Sequence, residues 1–312
     1  MKKIVTLALN PAIDKSSSVD HVVAERKLYC KPPRFEPGGG GVNVSRAIKK
    51  LGGGESLLLY PAGDLTGKRL QELLDEEGLN HWPFAIEGMT RESLVILEES
   101  TGQQYRFGMP GPKLRKNEWE RFLQELEAME PAPDYVVASG SLPSGVPPDF
   151  YARVARAGKK RGTKAIIDVS GKALKAALQE GVFLIKPNVR EFRELVGKEV
   201  KEETQIKAEA KKMVKSGRCE TLVISLGAAG ALAVSEDFAE HILSPTVPIV
   251  SKVGAGDSMV AGIALSLARG KPLRESVLFG VAAGSAAVMT PGTELCRRED
   301  AERLYESMIS VS

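Results

Sequence analysis

Gly254-Ala255-Gly256 is followed at once by Asp257 and then by an apolar run from Met259 to Leu267. Glycines that open into a helix aim free amides and the positive end of the helix dipole at whatever lies in front of them, which favours an anion. The carboxylate beside them has two readings. It caps the helix, or it is a general base that takes a hydroxyl proton next to an anion cradle. The glycines favour the second, because phosphoryl transfer to an alcohol needs a base and a charge-stabilising cradle together. A second run, GGGGVNVSRA from Gly38 to Ala47, again puts glycines in front of a helix. Glycine costs about 0.5–1 kcal/mol against alanine in regular structure. Four together therefore read as a place where backbone comes very close to something, or as a flexible loop. Lys186-Pro187-Asn188 leads into a third helix carrying Glu191 and Glu194.

These groups need a scaffold. Apolar runs recur at 4–9, 57–60, 135–138, 164–167, 183–185 and 221–224. Several lack polar alternation, as strands buried on both faces of a parallel sheet do. Amphipathic stretches such as 67–77 and 118–127 lie between them. The alternation predicts an α/β fold with a mostly parallel sheet flanked by helices. In the helix behind the first glycine run, Val44, Ala47, Ile48 and Leu51 share one face, and Gly52-Gly53 stops it. The second glycine-led helix is apolar nearly all round and so should be buried. Two segments break the rhythm. Residues 15–36 hold no convincing helix, and 91–107 read as two strands about a Ser100-Thr101-Gly102 turn. Both are expected to be β-insertions forming a small separate sheet, which needs something to pack against.

A chain of 312 residues with 43% hydrophobic and 27% charged residues has the make-up of an ordinary globular protein. A net charge of +3 gives no argument for nucleic acid, and no basic run long enough to bind a polyanion is present. Cys30, Cys219 and Cys296 have neither metal spacing nor the density of a disulfide scaffold, so reduced thiols in a cytoplasm are expected. No apolar run approaches the length of a membrane span, and the N-terminal apolar run is too short for a signal peptide.

At the two glycine runs the chain closely resembles the ribokinase-like carbohydrate kinases, the PfkB family. GGGGVNVSRAIKKLGG is similar to that family's N-terminal signature and VGAGDSMVAG to its C-terminal one. KPNVREFREL supplies the Asn-x-x-Glu motif as Asn188 and Glu191, and SLGAAGALA resembles the adenine-side strand and turn. LALNPAIDK, FEPGGGGVNV, TGQQYRFGMPG and ASGSLPSGV are similar to the branch that phosphorylates ketohexose phosphates. The resemblance implies a ribokinase-like core made of residues 1–14, 37–90 and 108–312. Segments 15–36 and 91–107 would form a β-sheet lid that clasps a second subunit in a homodimer. It implies ATP and Mg²⁺, with K⁺ as an additional ion. The implied reaction turns fructose 6-phosphate into fructose 1,6-bisphosphate, with tagatose 6-phosphate and fructose 1-phosphate as alternative acceptors.

Roles follow by matching motif. Asp257 is the implied base, with Gly254, Ala255 and Gly256 as the anion hole. Asp14, Gly39, Gly40 and Asn43 are implied to bind sugar hydroxyls, although Asp14 behind Asn10-Pro11-Ala12 also fits a plain turn. On this reading the glycine run exists because a Cβ would collide with the sugar. Lys27, Arg91, Arg106 and Ser141 correspond to groups that handle the sugar's phosphate. Lys186 and Asn188 would approach the ATP phosphates, Glu191 would organise Mg²⁺ through water, and Ser225, Gly227, Gly284 and Ser285 would line the nucleotide. Ser251, Val253, Ala287, Thr290 and Gly292 correspond to a monovalent-cation loop. Two positions depart from the pattern. Tyr29 stands where relatives can carry a lid arginine, and Lys252 replaces a small hydroxyl residue, putting an ammonium where it would compete with the cation. His21, His81 and His241 match no motif, and Trp82 and Trp119 read as packing residues.

Two other classes compete. A nucleotide-dependent oxidoreductase would need a glycine fingerprint directly after the first strand, and LALNPAID has none. A catalytically silent sugar-binding protein on the same fold should have lost the base, and Asp257 is present.

Overall fold

The computed structural model describes residues 1–54 and 56–311, with side chains up to residue 310. Among the described residues nine strands form the main sheet. β1 (Ile4–Leu7), β4 (Leu57–Ala62), β5 (Asn80–Ala85), β8 (Tyr135–Ser139), β9 (Lys164–Asp168), β10 (Val182–Ile185) and β11 (Cys219–Ser225) are parallel, and β12 (Ala231–Val234) and β13 (Ala239–Ile242) add an antiparallel edge. Their order is β13-β12-β11-β10-β9-β8-β1-β4-β5. All six apolar runs fall on these strands. The edge strands β5 and β13 lie outside the runs because one side of each needs no burial, and their alternation with polar residues hides them.

One face of the sheet is covered by α1 (Gly40–Lys50), α8 (Ala255–Ala268), α9 (Leu273–Ala287) and α10 (Arg298–Val311), which share a core with Val137, Leu184 and Val223. The other face carries α3 (Lys116–Ala128), α4 (Phe150–Lys160), α5 (Gly171–Ala177), α6 (Val189–Val196) and α7 (Glu203–Lys215), packed on Val136, Ile167 and Ile224. α2 (Asp64–Glu76) seats Leu70, Leu73 and Leu74 on Leu58 and Tyr60. The expected face of α1 is fully buried, and α8 is buried through Ser258–Ala268. Among the described residues no helix is long and apolar enough to cross a membrane.

A second sheet has the order β3-β2-β6-β7, from β2 (Ala12–Val19), β3 (Arg34–Gly38), β6 (Arg91–Glu98) and β7 (Gln104–Gly108). β6 and β7 turn about Gly102, which has φ 69°. The strands do not keep to 15–36 and 91–107. β2 begins at Ala12 and β3 runs on to Gly38, so Asp14 and the first glycine of the run belong to the small sheet. The physical reason is pairing: Asp14 is held between Glu36 and Ser93 in register, which its local sequence does not reveal. β2 and β6 pair in parallel, so the small sheet is assembled from parts far apart in the chain.

Candidate active site

In an open α/β sheet the crevice lies beyond the carboxyl ends of the strands. Here those ends deliver Ser139, Gly140 and Ser141 at the end of β8, Asp168 at the end of β9 and Lys186 after β10. Gly40 at the start of α1 and Asp257 in the first turn of α8 face the same cavity, of about 350 Å³, together with Asn188 and Glu191. A second cavity of about 450 Å³ adjoins it across Ala255 and Gly256. Its walls are Ser225, Gly227, Gly284 and Ser285 with apolar Val247, Ile249, Met259, Val281 and Val288. The first turn of α8 therefore separates a polar chamber from a mainly apolar one.

Gly254 is the residue before α8 and has φ 75°, a left-handed conformation that suits glycine. Asp257 is the third residue of the helix and does not cap it, so the capping alternative is corrected. Its Oδ2 accepts a hydrogen bond from Asn43 Nδ2 at 2.9 Å. Its pKa is pushed up to about 6, first by burial and then by the charge of Asp168, while the Asn43 bond and Lys186 work against the rise. A carboxylate poised there accepts a proton near neutral pH.

Lys186 is 6% exposed and its Nζ lies 3.2 Å from Asp168 Oδ1. Burial opposes its charge, but Asp168, Asp257 and Glu191 outweigh burial and hold its pKa above the ordinary value. The ammonium lies so close to Gly256 that a Cβ there would sit 3.4 Å from Nζ. Asp168 is held above the usual carboxylate range by burial, which the Lys186 charge only partly offsets. Asn188 and Glu191 are bound to one another: Glu191 N donates to Asn188 Oδ1, and Asn188 N donates to Glu191 Oε2, both at 2.9 Å. This capping box fixes the Glu191 carboxylate at the cavity wall.

The first glycine run is required by the protein's own atoms, independently of any ligand that lies against it. A Cβ on Gly38 would lie 2.2 Å from Asp14 Oδ2, one on Gly40 2.6 Å from Ser139 Oγ and one on Gly41 2.2 Å from the Leu7 carbonyl. Gly39 has φ 97°. The run lets α1 start directly against the ends of β1 and β8 and leaves Asp14 room beside it. The Asp14 pKa is raised by burial, against the pull of Arg91, Arg46 and Arg106. Arg91 donates to the Asn10 carbonyl and to Ser93 Oγ, and burial lowers its pKa.

Arg91 and Arg106 are thus brought to Asp14, and Ser141 to the cavity. Lys27 is not: it is exposed and stacks over the Tyr29 ring at 5.2 Å, and Tyr29 is itself 79% exposed. Ser251, Val253, Ala287, Thr290 and Gly292 do come together. Ser251 Oγ donates to the Gly292 carbonyl and accepts from Val253 N, and Thr290 Oγ1 contacts the Ala287 and Leu295 carbonyls. Lys252 lines the second cavity. Trp119 is buried as expected, whereas Trp82 is half exposed on edge strand β5. The three histidines pair with Asp20, with Tyr60 and Asp75, and with Glu203 and the Ala229 carbonyl, away from the site.

Three groups escaped the sequence reading. Asp168 is the polar residue that ends the buried apolar strand β9, a signal the sequence carries. Arg46, 1% exposed, binds Glu77 and Glu36 and the carbonyls of Pro37 and Thr293, and Glu36 also takes the Thr293 hydroxyl. It pins β3 to the C-terminal loop. Asn10 joins Ser141 to Arg91. Neither Arg46 nor Asn10 carries a local signal, because their partners are distant in sequence.

Comparison with known proteins agrees with this geometry. The chain is 45% identical over 304 residues to ATP-dependent 6-phosphofructokinase isozyme 2 of Mycobacterium tuberculosis, covering 97% of this chain and 89% of the relative. It is 31% identical over 293 residues to 1-phosphofructokinase of Bacillus subtilis, covering 93% and 95%. Phosphofructokinase-2 from Escherichia coli in complex with potassium superposes with a TM-score of 0.95 at 40% identity, over 99% of this chain and 100% of the other. The same enzyme in complex with fructose-6-phosphate gives 0.93 at 39% identity, over 99% and 100%, and a structure of its tetrameric inhibited form is also known. The pfkB family carbohydrate kinase profile matches residues 3–300. With a glycine-led helix bearing the carboxylate between a polar and a mainly apolar chamber, and a profile match along nearly its whole length, the chain belongs to the pfkB family of carbohydrate kinases.

Proposed function

We propose that the chain transfers the γ-phosphoryl group of ATP to fructose 6-phosphate, giving fructose 1,6-bisphosphate. The observation that carries this reading is Asp257, a carboxylate with a raised pKa held by Asn43 where a polar and a mainly apolar cavity meet. The identity to 6-phosphofructokinases selects the acceptor.

The sugar phosphate occupies the polar side. Its ring hydroxyls meet Asp14, Asn43 and the Gly39–Gly40 backbone, and its phosphate meets Arg91, Arg106 and Ser141. Lys27 joins them only if its segment folds inward. ATP lies along Ser225, Gly227, Gly284 and Ser285 with its phosphates toward Lys186 and Asn188. Asp257 takes the proton of the attacking hydroxyl, the hydroxyl oxygen bonds to the γ-phosphorus, and the bond to the β-phosphate oxygen breaks. The amides of Gly254, Ala255 and Gly256 and the Lys186 ammonium meet the charge on the transferring group.

Among the described residues no cluster of three or more carboxylate, histidine or cysteine side chains is built to hold a metal by itself. Glu191 and Asp168, whose carboxylates face the polar chamber, would be the groups to hold a Mg²⁺ ion bound with the nucleotide. When bound, Mg²⁺ neutralises charge on the ATP phosphates. The oxygens of Ser251, Val253, Ala287, Thr290 and Gly292 are a neutral set suited to K⁺. The small sheet acts as a lid and as the contact of a homodimer, supported by exposed Tyr29, Phe35, Leu97 and Phe107 on or beside its strands. We place the enzyme in the cytoplasm, where an exposed thiol such as Cys30 stays reduced.

The test is an ATP-consumption assay with fructose 6-phosphate, tagatose 6-phosphate, fructose 1-phosphate and fructose. Fructose 6-phosphate should give the highest kcat/KM. A higher value for another acceptor would reassign the substrate, and no consumption with any would sink the kinase reading.

A further inference from the structure

Asn10 follows β1 and joins Ser141, which lines the polar chamber, to Arg91, which lies outside that lining. Its Nδ2 donates to Ser141 Oγ at 2.9 Å. Its backbone carbonyl accepts from Arg91 Nε at 3.3 Å and Nη2 at 3.1 Å. Its Oδ1 is buried with no hydrogen-bond partner. A Cβ on Gly111 would lie 2.0 Å from that oxygen, so Gly111 leaves the carboxamide its place.

A serine hydroxyl has one proton and accepts elsewhere. When Asn10 donates to it, its own proton is free to point another way, and Ser141 faces the cavity. A phosphate oxygen only accepts, so a hydroxyl fixed in this sense is a ready donor to it. The reverse assignment, with the amide nitrogen buried and unpartnered, would orphan a donor, which proteins tolerate less than an under-used carbonyl oxygen.

We propose that Asn10 is a positioning residue that sets the Ser141 hydroxyl as a donor toward the phosphate of the sugar substrate and braces Arg91 beside it. The proposal rests on the reading of Ser141 and Arg91 as phosphate contacts.

Asn10→Ala keeps the carbonyl that Arg91 uses and removes only the grip on Ser141. It should raise KM for fructose 6-phosphate about tenfold, as for one hydrogen bond to a charged group, with KM for ATP moving less than about twofold. Asn10→Asp has the same shape but accepts from Ser141, reversing the bond and adding charge, and should raise KM roughly a hundredfold. Gly111→Ala displaces the carboxamide and should resemble Asn10→Ala. Joining Asn10→Ala to Ser141→Ala should do no more than Ser141→Ala alone, because the two act through one contact. A normal KM in Asn10→Ala beside a raised KM in Ser141→Ala overturns the proposal alone. A normal KM in Ser141→Ala overturns the phosphate reading and the proposal with it. Equal losses toward fructose 6-phosphate, free fructose and ATP, with a lowered Tm, would mark Asn10 as merely structural and also overturn it.

Discussion

Replacing Asp257 by asparagine separates catalysis from stability, and the structure predicts opposite signs for the two. The amide keeps the shape beside Asn43 but cannot take a proton. Loss of a general base commonly lowers the rate about 10²–10⁴-fold, so kcat should fall by that factor. Stability should move the other way. Asp257 binds its proton more tightly in the folded chain, with pKa about 6 against an ordinary 3.8. The folded state is therefore favoured at low pH, and the cost of the charge grows as pH rises through that window and is complete above it. The gap corresponds to about 3 kcal/mol. The side chain keeps an opening to the cavity, and solvent there relieves part of the burial, so about 1–3 kcal/mol is the working range. Lys186 would retain Asp168 at 3.2 Å, so the variant leaves no unpaired ammonium. At roughly 2 °C per kcal/mol for a chain of this size, Asp257→Asn should melt about 2–6 °C higher at pH 8, and the gain should shrink as pH falls from 6 toward 4. Wild-type kcat/KM should decline below about pH 6 as the base protonates. The assays are coupled ATP turnover and thermal melts across pH. A kcat above a tenth of wild type would refute the base, and a gain in Tm independent of pH would refute the electrostatic origin.

Gly38→Ala puts a methyl group 2.2 Å from Asp14 Oδ2, so Asp14 must turn away; KM for the sugar phosphate should rise at least about tenfold with KM for ATP unchanged, and an unaltered sugar KM would show that Asp14 does not hold the sugar. Sedimentation should find a dimer, and Phe107→Glu on the lid strand β7 should weaken it; a fully active wild-type monomer would remove the lid from the subunit contact.

The layers of the fold were legible because buried parallel strands and apolar helices write their burial directly into composition. Asp257, Asn43 and Lys186 were legible because glycine and proline mark where helices begin. The small sheet was legible only in outline. Its central strand, AIDKSSSV, has no apolar alternation, being specified by neighbours on both sides rather than by its own side chains. Asn10 and Arg46 stayed hidden for a related reason: each is defined by partners that only the folded chain brings near. The glycine run was noticed for its close approach, but what approaches it is Asp14, Ser139 and Leu7, a fact of three-dimensional packing.

The parallel pairing of β2 with β6 orders events in time. Ala12 cannot find Arg91 until β4, α2 and β5 have been made, which at ordinary synthesis rates is roughly 4–16 seconds after Ala12 is added. During that interval the hairpin of β2 and β3 offers an unpaired strand edge, which its run Lys15-Ser16-Ser17-Ser18 keeps polar. The register that closes the sheet is also the one that sets Ala12 opposite Arg91 and Asp14 opposite Ser93. β8, which completes the pairing of β1, and α8, which carries Asp257, are added later still, so the small sheet has all its strands before the main sheet does, and the carboxylate reaches a wall whose register is already available.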